Sequence, residues 1–277
     1  HHLIAELGFD QGFEVHDLEI WDQSFLRSLA QRLVLGVGRS GPRGERSNTA
    51  REINQRFLDW LPDGDDRFFA YLHHIDVHWP YRAPKPFAGR FGVRRTSVDF
   101  NSSEFYDQFG PERKQLDQPP GVDPAVVQDM SDAYDEGVRF VDEEIGALFE
   151  ELKRRKLYDD ALIVVTADHG EQFLEHGEIG HGTSLHDVLL RVPLIVKFPC
   201  PSDNCGARSI ETPAQVVDVM PTILEVVGLE APARLAGRSV LRPMDDERVL
   251  FAEKGAQVAL RTRDFKYIYD LEDSSAE

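Results

Sequence analysis

The chain has 277 residues, 41% hydrophobic and 10% aromatic, enough to build a sizeable core in one large domain or two ordinary ones. Its 49 Asp and Glu outnumber 31 Lys and Arg, a formal net charge of −18 that repels nucleic-acid phosphates and anionic lipid. No apolar run approaches the roughly 20 residues of a membrane span, and an anionic substrate needs metal or local cations to reverse the field inside a cleft.

The chain opens on His1-His2-Leu3-Ile4, with no Met, charged n-region or apolar signal core, and closes on Asp273-Ser274-Ser275-Ala276-Glu277. Neither end reads as a natural terminus, so a fragment is expected. A glycine-rich loop follows at 36–44. A helix is expected from a Ser47 cap to Leu61, with Ala50, Ile53, Phe57 and Leu61 on one face. Phe68 to His74 reads as a buried strand leading into a loop with Pro80, Pro84 and Pro86. Residues 88–124 lack periodicity and read as a surface excursion.

The clearest helix is expected over 131–156, where Tyr134, Val138, Val141, Ile145, Leu148 and Leu152 make one apolar stripe. Two continuously apolar runs, Ala161–Thr166 and Pro193–Phe198, read as strands covered on both faces, as in a parallel sheet. Thr212-Pro213 opens a further helix, restarted at Pro221 and ended by Gly228. Alternation beyond 240 suggests a small antiparallel sheet. The class is α/β, a mostly parallel sheet flanked by helices, with an appended β piece. Cys200 and Cys205 read as surface thiols, with a local disulfide as the alternative.

Ten histidines are unevenly spread. His73, His74 and His78 form one cluster, and His169, His176, His181 and His186 another. Each begins where an expected strand ends, the edge at which open α/β sheets place ligands. Asp168 and His169 leave their strand as neighbours with Gly170 behind, so a carboxylate oxygen and an imidazole nitrogen can meet one divalent cation. Alternation allows at most one of His73 and His74 to face a site, and both read as hydrogen-bonded core histidines. His78 lies past the strand, stiffened by Pro80, where it can meet substrate with Asp76 to orient it.

These segments resemble the sulfatase family. Phe69-Ala-Tyr-Leu-His-His-Ile-Asp-Val-His78-Trp-Pro-Tyr81 is similar to the segment ending in Asp-x-His-x-Pro-Tyr, and Val164-Val-Thr-Ala-Asp168-His169-Gly-Glu171 to the second metal-ligand strand. Glu175-His-Gly177, Gly180-His181-Gly182-Thr-Ser-Leu185 and Leu190-Arg-Val-Pro-Leu-Ile-Val196 resemble the stretch that follows. Gly8-Phe-Asp-Gln-Gly-Phe13, Val217-Asp-Val-Met-Pro-Thr222 and Asp264-Phe-Lys-Tyr-Ile268 fit in the same order, so nearly the whole chain is covered.

The resemblance implies an alkaline-phosphatase-like fold, with residues 1–240 as the C-terminal portion of the catalytic α/β domain and 241–277 as the start of a small β subdomain. It implies metal-dependent hydrolysis of a small-molecule or carbohydrate sulfate ester, through a formylglycine nucleophile made from a Cys/Ser-x-Pro-x-Arg motif. Asp168 and His169 would be metal ligands. His78 and His181 would contact sulfate oxygens or assist the leaving group, His181 standing where many relatives have Lys. One divalent cation is implied, calcium in most of the family; the imidazole of His169 moves the preference toward manganese or zinc.

The chain departs from the pattern in two places: the Cys/Ser-x-Pro-x-Arg motif and the paired acidic motif of the family's first strand are absent. Cys200-Pro201-Ser202-Asp203 is no substitute, since its Pro is one place early and no Arg follows where required. Both motifs are expected upstream of Gly8, leaving the fragment alone inactive. The alternatives are a phosphodiester or phosphonate monoester hydrolase of the same superfamily, and an inactive remnant or binding module. The sequence names neither the alcohol released nor the oligomeric state, and a periplasmic or extracellular location follows from family habit alone.

Overall fold

The computed structural model describes residues 49–61, 67–92, 94–110, 121–200, 206–207, 209–243 and 247–272. The segment Gly8–Phe13, the Ser47 cap and Cys205 lie outside these residues. The chain divides into two compact units, residues 1–76 and 77–277.

In the first unit, helix α1 spans Thr49–Trp60. Ala50, Asn54 and Phe57 are buried on it, with Leu61 just beyond, at spacings of four and three; Asn54, rather than Ile53, completes the face. A polar side chain survives there because Asn54 Oδ1 pairs with His74 Nε2 at 3.1 Å. Asp76 accepts the Ala50 amide at 2.9 Å, satisfying a helix-start donor and favouring the positive end of the helix dipole. The expected strand at 68–74 is extended but joins no β-ladder among the described residues, and Phe69 and Tyr71 are more than half exposed. Apolar content alone does not make a strand; it needs a neighbour to accept its ladder.

In the second unit, helix α2 (Ser103–Phe109) is capped by Ser102, whose hydroxyl accepts the Phe105 amide. It falls inside the stretch expected to be surface excursion, which also buries Phe100 and Phe105. Helix α3 (Pro124–Arg154) starts earlier than expected, with Asp123 as N-cap and Pro124 at the first turn. Its buried stripe runs through Val126, Met130, Gly137 and Phe140 to Leu148 and Leu152, while Val138 is exposed. Tyr81, Phe100, Phe105, Val126, Met130 and Ile179 form the core, each large side chain contributing about 1.5–3 kcal/mol by burial.

Strands β1 (Ile163–Thr166) and β4 (Leu194–Lys197) pair antiparallel, with Thr166 opposite Leu194. A parallel neighbourhood is expected for both, and burial on both faces; instead Thr166 is exposed and Ile195 is 61% exposed. The reason lies in the connection: a hairpin, β2 (Gln172–Phe173) with β3 (Ile179–Gly180), and the short helix α4 (Asp187–Leu190) return the chain to the strand end it left. No long crossover helix carries it back to the other end. Thr166 Oγ1 donates to the Pro193 carbonyl at 2.8 Å, closing the loop where it starts.

A 3₁₀ turn, Val216–Asp218, runs into helix α5 (Val219–Val226), so the helical segment starts after, not at, Pro213. Gly228, at φ 77°, follows as its stop. Strands β5 (Leu250–Lys254), β6 (Gln257–Arg261) and β7 (Lys266–Asp270) make the expected antiparallel meander. Cys200 is disulfide-bonded, which corrects its reading as a surface thiol. None of the described helices is long and apolar enough to cross a membrane.

Candidate active site

The loop between β1 and β4 carries Asp168, His169, Glu171 and His181. Gly170 allows its first turn to pack closely: its amide donates to the Leu189 carbonyl at 2.7 Å, and a Cβ there would collide with the Val188 carbonyl oxygen. Asp168 Oδ1 accepts the His169 amide at 3.1 Å, and Asp168 Oδ2 lies 3.7 Å from His169 Nε2.

Three imidazoles meet here. The His169 and His181 rings stack with centroids 4.1 Å apart, and His78 packs edge-on against His181 at 4.8 Å. Each is held through Nδ1: His78 to the Trp79 carbonyl at 2.6 Å, His169 to the Gly170 carbonyl at 2.8 Å, His181 to Glu171 Oε1 at 2.9 Å. Carbonyl and carboxylate oxygens only accept, so Nδ1 is the donor in each ring. Burial holds the His78 pKa below its ordinary value, helped by the nearby His181 and His169, against the Trp79 carbonyl and Glu171, which raise it.

Two further residues, given no role by their motifs, complete the cluster. Glu171 is nearly buried, with its side chain 4% exposed, and its charge acts on the nearby Tyr81 phenol. Burial, then the Glu171 charge, pushes the Tyr81 phenol well above its ordinary range, so it stays a proton donor. Only the hairpin register brings Glu171 in: Gln172 pairs with Gly180, which puts Glu171 and His181 on the next rung. A cleft beside His181 is walled by Trp79, Tyr81, Phe105, Tyr106 and Met130.

The other histidines go elsewhere. His73 bonds with the Tyr71 hydroxyl and His74 with Asn54, while His176 and His186 stack on each other at 3.5 Å. The orienting role expected of Asp76 passes, for His78, to the Trp79 carbonyl.

The Asp168 and His169 atoms are close enough together to reach one cation at bonds of about 2.0–2.6 Å, and the His169 Nδ1 anchor fixes the tautomer a metal ligand needs. Among the described residues no group of three or more His, Cys, Asp or Glu is arranged to hold a metal. The pair therefore fits as part of a coordination shell.

Comparison with known proteins gives this geometry a family. Residues 38–229 match the family model described as Sulfatase. An uncharacterized sulfatase, YidJ of Escherichia coli, is 24% identical over 73% of this chain and 40% of its own length. The multifunctional alkaline phosphatase superfamily protein PehA of Trinickia caryophylli is 34% identical over 68% of this chain and 40% of its own. The chain thus spans about two-fifths of these relatives. The phosphonate monoester hydrolase of Silicibacter pomeroyi superposes with a TM-score of 0.65 at 23% identity, covering 91% of this chain and 61% of that one, which shows an alkaline-phosphatase-superfamily α/β fold. The chain belongs to the sulfatase family and is a partial catalytic domain of it.

Proposed function

We propose that this chain carries the leaving-group side of a metal-dependent sulfuric ester hydrolase. The observation that carries the reading is the three-imidazole cluster, each ring tethered at Nδ1, beside the Asp168–His169 pair. A sulfate ester concentrates negative charge on its oxygens, and an acidic protein must meet it locally. His78 and His181 bind those oxygens through Nε2, and His181 stands as the proton source for the departing alkoxide. Asp168 and His169 would hold the divalent cation, calcium by family or manganese or zinc by its imidazole; when bound it polarises the ester oxygens. The nucleophile is not among these residues: a formylglycine belongs to the motif this sequence lacks, and the chain alone is expected to be inactive.

A second reading, hydrolysis of phosphonate monoesters or phosphodiesters, draws support from the 34% identity to a relative described as multifunctional. Aryl esters are the first substrates to test, because a chromogenic leaving group reports turnover directly. Assay of this chain and of the full-length gene product, with aryl sulfate and aryl phosphonate, separates the readings. Faster sulfate turnover by the full-length product supports the proposal and faster phosphonate turnover the second reading. Silence from both proteins overturns the hydrolase assignment.

A further inference from the structure

We propose that Glu171 is a positioning residue that fixes His181 in its Nδ1–H tautomer and so presents Nε2 to the substrate. For what Nε2 then does, this rests on the hydrolase reading above; the orientation itself does not.

Glu171 and His181 stand opposite each other one rung beyond the pair Gln172 and Gly180, so the β2–β3 register brings them together across ten residues of sequence. The bond is 2.9 Å long and largely buried, with side-chain exposures of 4% for Glu171 and 20% for His181. A carboxylate in that place has no proton to give, so the imidazole must donate. Tyr81, buried in the core against Tyr134 and Phe173, lines the same pocket as Glu171 and His181. His78 on one side and His169 on the other leave the His181 ring little freedom to flip. Partners that orient a working imidazole in this way typically contribute about 10–100-fold to activity.

The test is long-range ¹⁵N–¹H NMR on the histidine-labelled chain, with His181→Ala used to assign the signal, at a pH above the imidazole range. Wild type should show His181 protonated at Nδ1, and Glu171→Gln, whose amide can both donate and accept, should admit the Nε2–H form. An Nε2–H tautomer in wild type overturns the proposal, and so does a His181 signal unmoved in a folded Glu171→Gln chain. If Glu171→Gln does not fold, the wild-type tautomer decides alone. In hydrolysing full-length enzyme, Glu171→Gln should lower kcat about 10–100-fold while KM changes little. A correct tautomer without hydrolysis sinks the hydrolase reading and leaves the orientation standing; hydrolysis with kcat untouched by Glu171→Gln sinks the positioning role.

Discussion

Arg248 and Asp218 meet fork to fork, Nη1 to Oδ2 at 2.7 Å and Nη2 to Oδ1 at 2.8 Å, with side chains 8% and 0% exposed. Asp218 also accepts the Gln215 and Arg238 amides, so one carboxylate joins the start of α5 to the approach to β5. Arg248→Met would leave the carboxylate buried and uncompensated and should cost about 3–5 kcal/mol. Urea unfolding checks this, as a lower midpoint at unchanged slope.

The same carboxylate predicts acid behaviour. Burial alone would raise the Asp218 pKa, but Arg248 and the two amides outweigh it and hold it below the ordinary 3.8. A depressed folded pKa means its stabilising contribution is complete above the unfolded value and is lost as pH falls through the folded one. Stability should therefore drop steeply with pH below about 4, and the slope should flatten in Asp218→Asn. An equally steep loss in the variant would assign the acid sensitivity to other carboxylates.

Asp129 holds the approach to α2 against α3. Its carboxylate accepts the Arg95 and Thr96 amides at 2.9 Å and the Thr96 hydroxyl at 3.0 Å. Asp129→Ala strands those donors and should cost about 2–3 kcal/mol. Hydrogen exchange should quicken at Arg95 and Thr96; unchanged protection there would refute the tether.

Metal binding tests the Asp168–His169 pair without any turnover. Asp168→Asn removes a charged donor and should weaken manganese and calcium affinity roughly tenfold or more by calorimetry. A titration identical to wild type contradicts the ligand assignment.

His181→Ala in the full-length enzyme should lower kcat/KM by about 10²–10⁴ if the ring supplies the leaving-group proton. Its thermal midpoint should fall as well, because the buried Glu171 carboxylate loses its 2.9 Å partner, so turnover is compared well below that midpoint. Unchanged turnover removes His181 from the site.

The sequence showed the members of the imidazole cluster more clearly than what holds them in place. His78, His169 and His181 stand out because imidazoles gather at strand ends, and Asp168 because a carboxylate beside one of them suits a cation. Glu171 and Tyr81 do not stand out, since a buried acid beside an aromatic residue has no composition of its own; only the hairpin register pairs Glu171 with His181. Strand direction was equally hidden. Ile163–Thr166 and Leu194–Lys197 read as apolar runs whichever way they point, and the turn-back between them sets the antiparallel order. The start of α3 was legible in Asp123-Pro124 as a cap and first turn, yet periodicity drew attention to the later stripe.

The two-rung ladder between β2 and β3 makes the cluster sensitive to parity. Successive side chains on a strand face opposite ways, so inserting one residue between Glu171 and Gln172 would swing the acid away from its imidazole, whereas inserting two would return it to the same side. Odd and even length changes in this short hairpin should therefore have opposite fates.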